Sequence, residues 1–311
     1  MPKRFALIPA TLLLIFAVAA PAADPGFPLV QSLASFPFDE DAAWLGQGRV
    51  AATFTLSCGN VFMFSEDGAT VSDLETLEAV LALRVGIARS LNLEVYSRWS
   101  GVHGGWLDGL IEDFHTAFGL PDNRRSQFVR NQVDYRFRDL HDRRRSAGVT
   151  GPFTIALSAN LFRGGQWQVG GRLALQIPPA GAPGLVSDQS ALITGAWIHW
   201  RKGAYTLGMS GHMAFFKTPT WLEGVAITPR IFLAEAWAGL GWFRAGLIWR
   251  SSPYRLGDAS DAGWQILLGF RLMRGIELRF QEDLAPFNST PDVRLGIRVR
   301  LDKLVSRRHM E

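Results

Sequence analysis

The chain has 311 residues, room for one large domain or two small ones, and is 48% hydrophobic with only 19% charge. Its formal charge is +4, and losing Lys3 and Arg4 with a leader removes two of those charges, so a pI of about 9.6 is no argument for nucleic acid. The single cysteine, Cys58, excludes an intramolecular disulfide and, lying far from the leader, a lipoprotein anchor.

In chain order, residues 1–22 read as a signal peptide. Lys3 and Arg4 form the basic region, "FALIPATLLLIFAVAA" the apolar region, and Ala20-Pro21-Ala22 a small-residue cleavage site. The mature chain, 23–311, is expected to be one domain. After residue 22 no apolar run is long enough for a membrane helix. An exported chain this apolar, with 11 Trp and 21 Phe, is then either a periplasmic globule or an outer-membrane β-barrel.

Alternation decides between them. Strands are predicted at 48–65, 74–87, 91–100, 150–161, 166–178, 189–200, 204–216, 228–238, 241–251, 262–272, 275–284 and 292–302. In "VRLGIRVRL", Val293, Leu295, Ile297, Val299 and Leu301 share one face and Arg294, Gly296, Arg298 and Arg300 the other. Large apolar residues set against small or charged ones are the signature of a transmembrane barrel. A soluble sandwich hides its large residues and shows Lys, Glu and Thr. Short turns near 88–90, 163–166, 201–204, 238–241 and 273–275 alternate with longer polar loops, the asymmetry of outer-membrane barrels. The fold class is therefore all-β: an antiparallel transmembrane barrel of about twelve strands in the bacterial outer membrane, with both termini periplasmic. Weak alternation at 189–200 and 228–238 leaves ten or fourteen open. Trp99, Trp200, Trp237, Trp242 and Trp249 fall near strand ends, where an interfacial aromatic belt is expected.

One short helix interrupts the strands. In "GWLDGLIEDFHTAFGLPDNRR", Leu107, Leu110, Ile111, Phe114 and Phe118 share one helical face, and Asp108, Glu112 and His115 another. Gly119 closes the helix and Pro121 forbids restarting it. Its connection, around 101–149, is longer than loops usually are and is expected to be extracellular or lumen-facing. The alternating run at Val133, Tyr135 and Phe137 reads as a strand extended above the membrane. With "LEVYSRWS" before it, this run resembles a bacterial family of unknown function whose members look like outer-membrane barrels. The likeness rests on Gly105, Leu107, Asp108, Ile111, Glu112, His115, Phe118, Gly119, Leu120, Pro121 and Arg124 or Arg125. It implies fold and location and leaves function open.

Three chemical readings follow. First, the inward faces carry Arg84, Arg98, Arg172, Arg244, Arg250, Arg271, Arg279, Arg294, Arg298 and Arg300, seven of them on the last four strands, against Glu78, Glu94 and Glu277. An arginine wall binds carboxylate or phosphate and sets pore selectivity, or merely fills a narrow barrel. This predicts a channel or binding protein for small polar or anionic solutes, gated by the connection at 101–149. Asp108, Glu112, Asp113, His115, Arg124 and Arg125 are the plug or rim candidates, their acidic face meeting the arginines. Second, Arg124, Arg125 and Arg143–Arg145 suit a structural or surface protein contacting outer-membrane lipid and lipopolysaccharide. Third, Asp108, Glu112 and His115 suggest a barrel enzyme or a metal site, with His103 as a further ligand. No Ser lies at a spacing that pairs it with a His and an acid, and one Glu-x-x-His is too few for a di-iron centre. No metal or cofactor is therefore assigned, no nucleic-acid motif is present, and a monomer is expected.

Overall fold

The computed structural model describes residues 45–64, 70–119, 129, 131–137, 141–143, 146–178, 189–218, 227–251, 263–284 and 293–301. The signal-peptide assignment, Arg124, Arg125, Arg144 and Arg145 lie outside them. Twelve strands close a barrel: β1 (Val50–Phe64), β2 (Thr70–Ala88), β3 (Leu91–His103), β7 (Phe153–Gly164), β8 (Trp167–Ile177), β9 (Ala191–Lys202), β10 (Tyr205–Phe216), β11 (Arg230–Leu240), β12 (Phe243–Arg250), β13 (Gly263–Met273), β14 (Ile276–Asp283) and β15 (Val293–Arg300). Each pairs antiparallel with its neighbours, and β15 returns to β1 to remove both edges.

The connection between β3 and β7 carries helix α1 (Leu107–Phe118) and three short strands: β4 (Asp134–Phe137), β5 (His141–Arg143) and β6 (Ala147–Thr150). β4 pairs with β2 beyond the end of β3, as Thr70↔Phe137 and Ser72↔Tyr135, so the alternating run does extend the sheet. β6 pairs with the upper part of β3 and β7 with the lower part, so the two form one strand interrupted at Gly151 and Pro152.

Register fixes which side each residue faces. Leu56, Ile297, Leu278, Phe270, Phe243, Leu240 and Tyr205 form one cross-strand row. Together with exposed Leu157, Leu173, Leu175 and Leu207, this is the apolar outer face. An apolar girdle on a closed barrel is the form that satisfies every backbone group inside hydrocarbon. No helix among the described residues is long and apolar enough to cross a membrane. The ten arginines named above all fall on the opposite, inward parity.

The aromatic belt needs one correction. Trp167, Trp200 and Trp242 face outward at the short-turn end. Trp237 pairs with Gly208 and Gly246 and points inward, its ring 4.9 Å below the Arg244 guanidinium. A Cβ on Gly208 would strike the indole and one on Gly246 the Trp237 Cβ, so the barrel makes room for the side chain. Neighbouring Ala236 and Ala238 give that strand no large outer face from which the side could be read.

Candidate functional site

The lumen is built on three shared carboxylates. Glu94 on β3 lies 2.8 Å from Arg172 and 3.3 Å from Arg84, and it accepts hydrogen bonds from Ser158 Oγ (2.6 Å) and from the Tyr96 hydroxyl. Glu78 on β2 pairs with Arg98 and lies 3.6 Å from Arg294, reaching across β1. Glu277 on β14 lies 2.8 Å from Arg244, 3.4 Å from Arg279 and 3.8 Å from Arg298. Seven guanidiniums thus share three carboxylates. The glycines that alternate with arginine provide the space: a Cβ on Gly269 would sit 2.7 Å from Glu277 Oε1. Glu235, buried on β11 and inward by register, is a carboxylate that sequence reasoning missed, for the same weak alternation that misplaced Trp237.

At the short-turn end the lumen widens into a cavity of about 750 Å³. Arg244, Arg271, Arg298 and Arg300 line it from the strands, Arg163 and Arg201 from the ends of β7 and β9, and Arg274 from the turn after β13, with Glu277 as the carboxylate among them. Arg163 and Arg201 share inward parity with Gln168 and Thr206 but fall in segments the sequence assigns to turns, and Arg274 lies in a turn, so sequence reasoning missed all three. A volume in the range of small-molecule sites, bounded by forked donors that are always charged, suits an anion.

Helix α1 lies elsewhere. Its buried face, Leu107 and Ile111, packs with Val293 and against Cys58, Phe280 and Leu295. All four barrel residues have outward parity: Cys58↔Leu295 and Leu295↔Phe280 align with Leu56, Ile297 and Leu278. The helix therefore lies across the outer face of β2, β1, β15 and β14, toward the long connections, and is not a plug. Asp108 accepts hydrogen bonds from Asn60 Nδ2 (2.9 Å) and the Asn131 N–H (2.8 Å). His115 lies 3.9 Å from Glu282. Asn60 and Glu282 are outward residues as well, so Asp108 and His115 meet polar groups of the outer wall. Glu112 is half-buried and Asp113 exposed.

Local rules explain the helix ends. Trp106 offers no side-chain cap, and the Leu107 N–H instead donates to Glu75 on β2. Gly105, at φ +28°, permits that approach, because a Cβ there would overlap the Glu75 carboxylate. Gly119 closes the helix in the left-handed conformation, as expected.

Asp108, Glu112 and His115 do not converge. Among the described residues, the trio of His, Cys, Asp or Glu groups that brings its ligand atoms together is Cys58, Glu75 and His103.

Three solved structures resemble the fold. An outer membrane channel from Pseudomonas putida F1 is 12% identical with TM-score 0.47, covering 86% of this chain and 99% of its own. The toluene transporter TbuX of Ralstonia pickettii is 9% identical with TM-score 0.38, covering 89% and 98%. Outer membrane phospholipase A from Escherichia coli is 10% identical with TM-score 0.41, covering 91% and 100%. No curated protein matches the chain. The match that places it is to a family model, "Protein of unknown function (DUF3187)", over residues 10–219, and this twelve-stranded β-barrel belongs to that family.

Proposed function

We propose that the barrel binds small anionic solutes in its basic vestibule and passes them through the arginine-lined lumen. The observation that carries this reading is the cavity of about 750 Å³ lined by seven arginines and one carboxylate. Low-dielectric walls strengthen such a field and raise the local concentration of a counter-ion. Glu277 stands in the vestibule wall and Glu78 and Glu94 in the lumen beyond it, and at each of them solute carboxylates or phosphates compete for the shared guanidiniums. The connection at 101–149 gates the outer mouth through β4–β6 rather than α1, since Tyr135 is buried on the inward side of β2. The barrel acts as a monomer.

Planar-bilayer recording tests the proposal. Purified protein in a salt gradient gives an anion-selective reversal potential, and Arg298→Gln with Arg300→Gln weakens that selectivity. Absence of conductance together with absence of anion binding by calorimetry contradicts it.

A second reading concerns lipid and rests on α1. Trp106 and Leu110 stay 60% and 46% exposed on a helix lying along the barrel wall, the disposition of an interfacial helix. In this reading the outer face engages outer-membrane lipid, and Arg143–Arg145 engage lipopolysaccharide phosphates. Charge reversal at those three positions weakens lipid A binding; unchanged binding removes this reading and leaves the channel untouched.

A further inference from the structure

On the outer wall, beside the start of α1, three potential ligands of different chemistry meet. Cys58 on β1, Glu75 on β2 and His103 on β3 all have outward parity, with Glu75 paired to both Asn60 and His103 in the sheet. Their ligand atoms all lie within 4.8 Å of one another, and His103 Nδ1 is 3.8 Å from Glu75 Oε2. Glu75 is 1% exposed, and its two oxygens have different surroundings. Oε1 accepts the Leu107 N–H, while Oε2 faces the other two groups and receives no hydrogen bond from the described residues. A buried carboxylate oxygen left in that state is costly unless it ligates something.

We propose that Cys58, Glu75 and His103 form a three-ligand site for a divalent zinc-type ion on the outer face of the barrel. Thiolate, imidazole and carboxylate together are the donor set of a borderline-soft ion. Tetrahedral zinc, with bonds of about 2.0–2.3 Å, needs its ligand atoms about 3.3–3.7 Å apart. Side-chain rotations of about 1 Å close the present spacing to that value. The fourth position is left to solvent on the His103 side, whose side chain is 31% exposed. Because Glu75 also caps α1, the ion ties the seating of the helix to the metal. Binding converts the Cys58 thiol to thiolate and releases its proton to solvent.

The test uses the full chain, reduced, chelator-treated and folded in detergent, titrated with Zn²⁺ alone. One equivalent binds, and alkylation of Cys58 by maleimide slows by about tenfold or more at saturation. Co²⁺ in place of zinc gives a thiolate-to-cobalt charge-transfer band. His103→Ala, at a half-exposed position, leaves the barrel folded by heat-modifiable gel mobility and weakens zinc binding by about tenfold or more. Glu75→Gln keeps an oxygen for the Leu107 N–H and loses the ion in the same way. The site is overturned if the intact chain takes up no zinc, or if both folded variants bind zinc and react with maleimide as the parent does.

Discussion

The inner wall and the outer wall beneath α1 both hold charged groups, and they satisfy them differently. Inside, strand parity gathers Glu78, Glu94 and Glu277 among seven arginines, and strand residues supply both partners. Outside, Asn60, Glu75 and Glu282 stand at positions the alternation assigns to lipid, where an uncovered polar group is expensive. There the cover comes from a separate element: α1 brings Asp108, the Leu107 N–H and His115 to those groups. The contrast separates two tasks that the length of the connection alone would merge. The helix finishes the wall, and the arginine–carboxylate network fills the lumen.

Removing α1 gives the largest effect. A chain with 107–118 replaced by a short polar linker exposes three outer-wall polar groups and loses about 3 kcal/mol or more, read by urea unfolding in lipid vesicles. A plug would instead give higher conductance at unchanged stability. Next is Glu277→Gln, which leaves Arg244, Arg279 and Arg298 without their common carboxylate. It costs about 3 kcal/mol in the same assay and moves the reversal potential further toward the anion limit. Asp108→Ala is smaller, about 1–2 kcal/mol, because two hydrogen bonds are lost at the helix start. Its conductance equals that of the parent, since the contact is outside. Smallest is Arg271→Gln at the vestibule rim: stability changes by no more than about 0.5 kcal/mol, while calorimetry shows weaker anion binding.

Much of this contrast was legible in the sequence. Period-two alternation placed twelve strands within a few residues and put all ten arginines inward, because a large apolar face admits one orientation only. β11 was harder: Ala234, Ala236 and Ala238 leave its outer face small, so Glu235 and Trp237 could not be assigned a side. The helix was recognisable from its apolar stripe and Gly119, yet a stripe states that something covers it and not what. The clue to its seat lay in the strands. Asn60 shares parity with Leu56, Glu75 with Leu77, and Glu282 with Leu278 and Phe280, three interruptions of an otherwise apolar outer face. Read singly they are exceptions; only the register brings them into one patch. The Cys58, Glu75 and His103 trio was hidden for the same reason, its members lying on three strands.

The reversal potential of the intact chain and of the chain lacking 107–118, recorded in the same salt gradient, tests the account most directly. Both chains give the same anion-selective potential and single-channel conductance. Conductance that appears only after the helix is removed, or selectivity for cations in either chain, would contradict it.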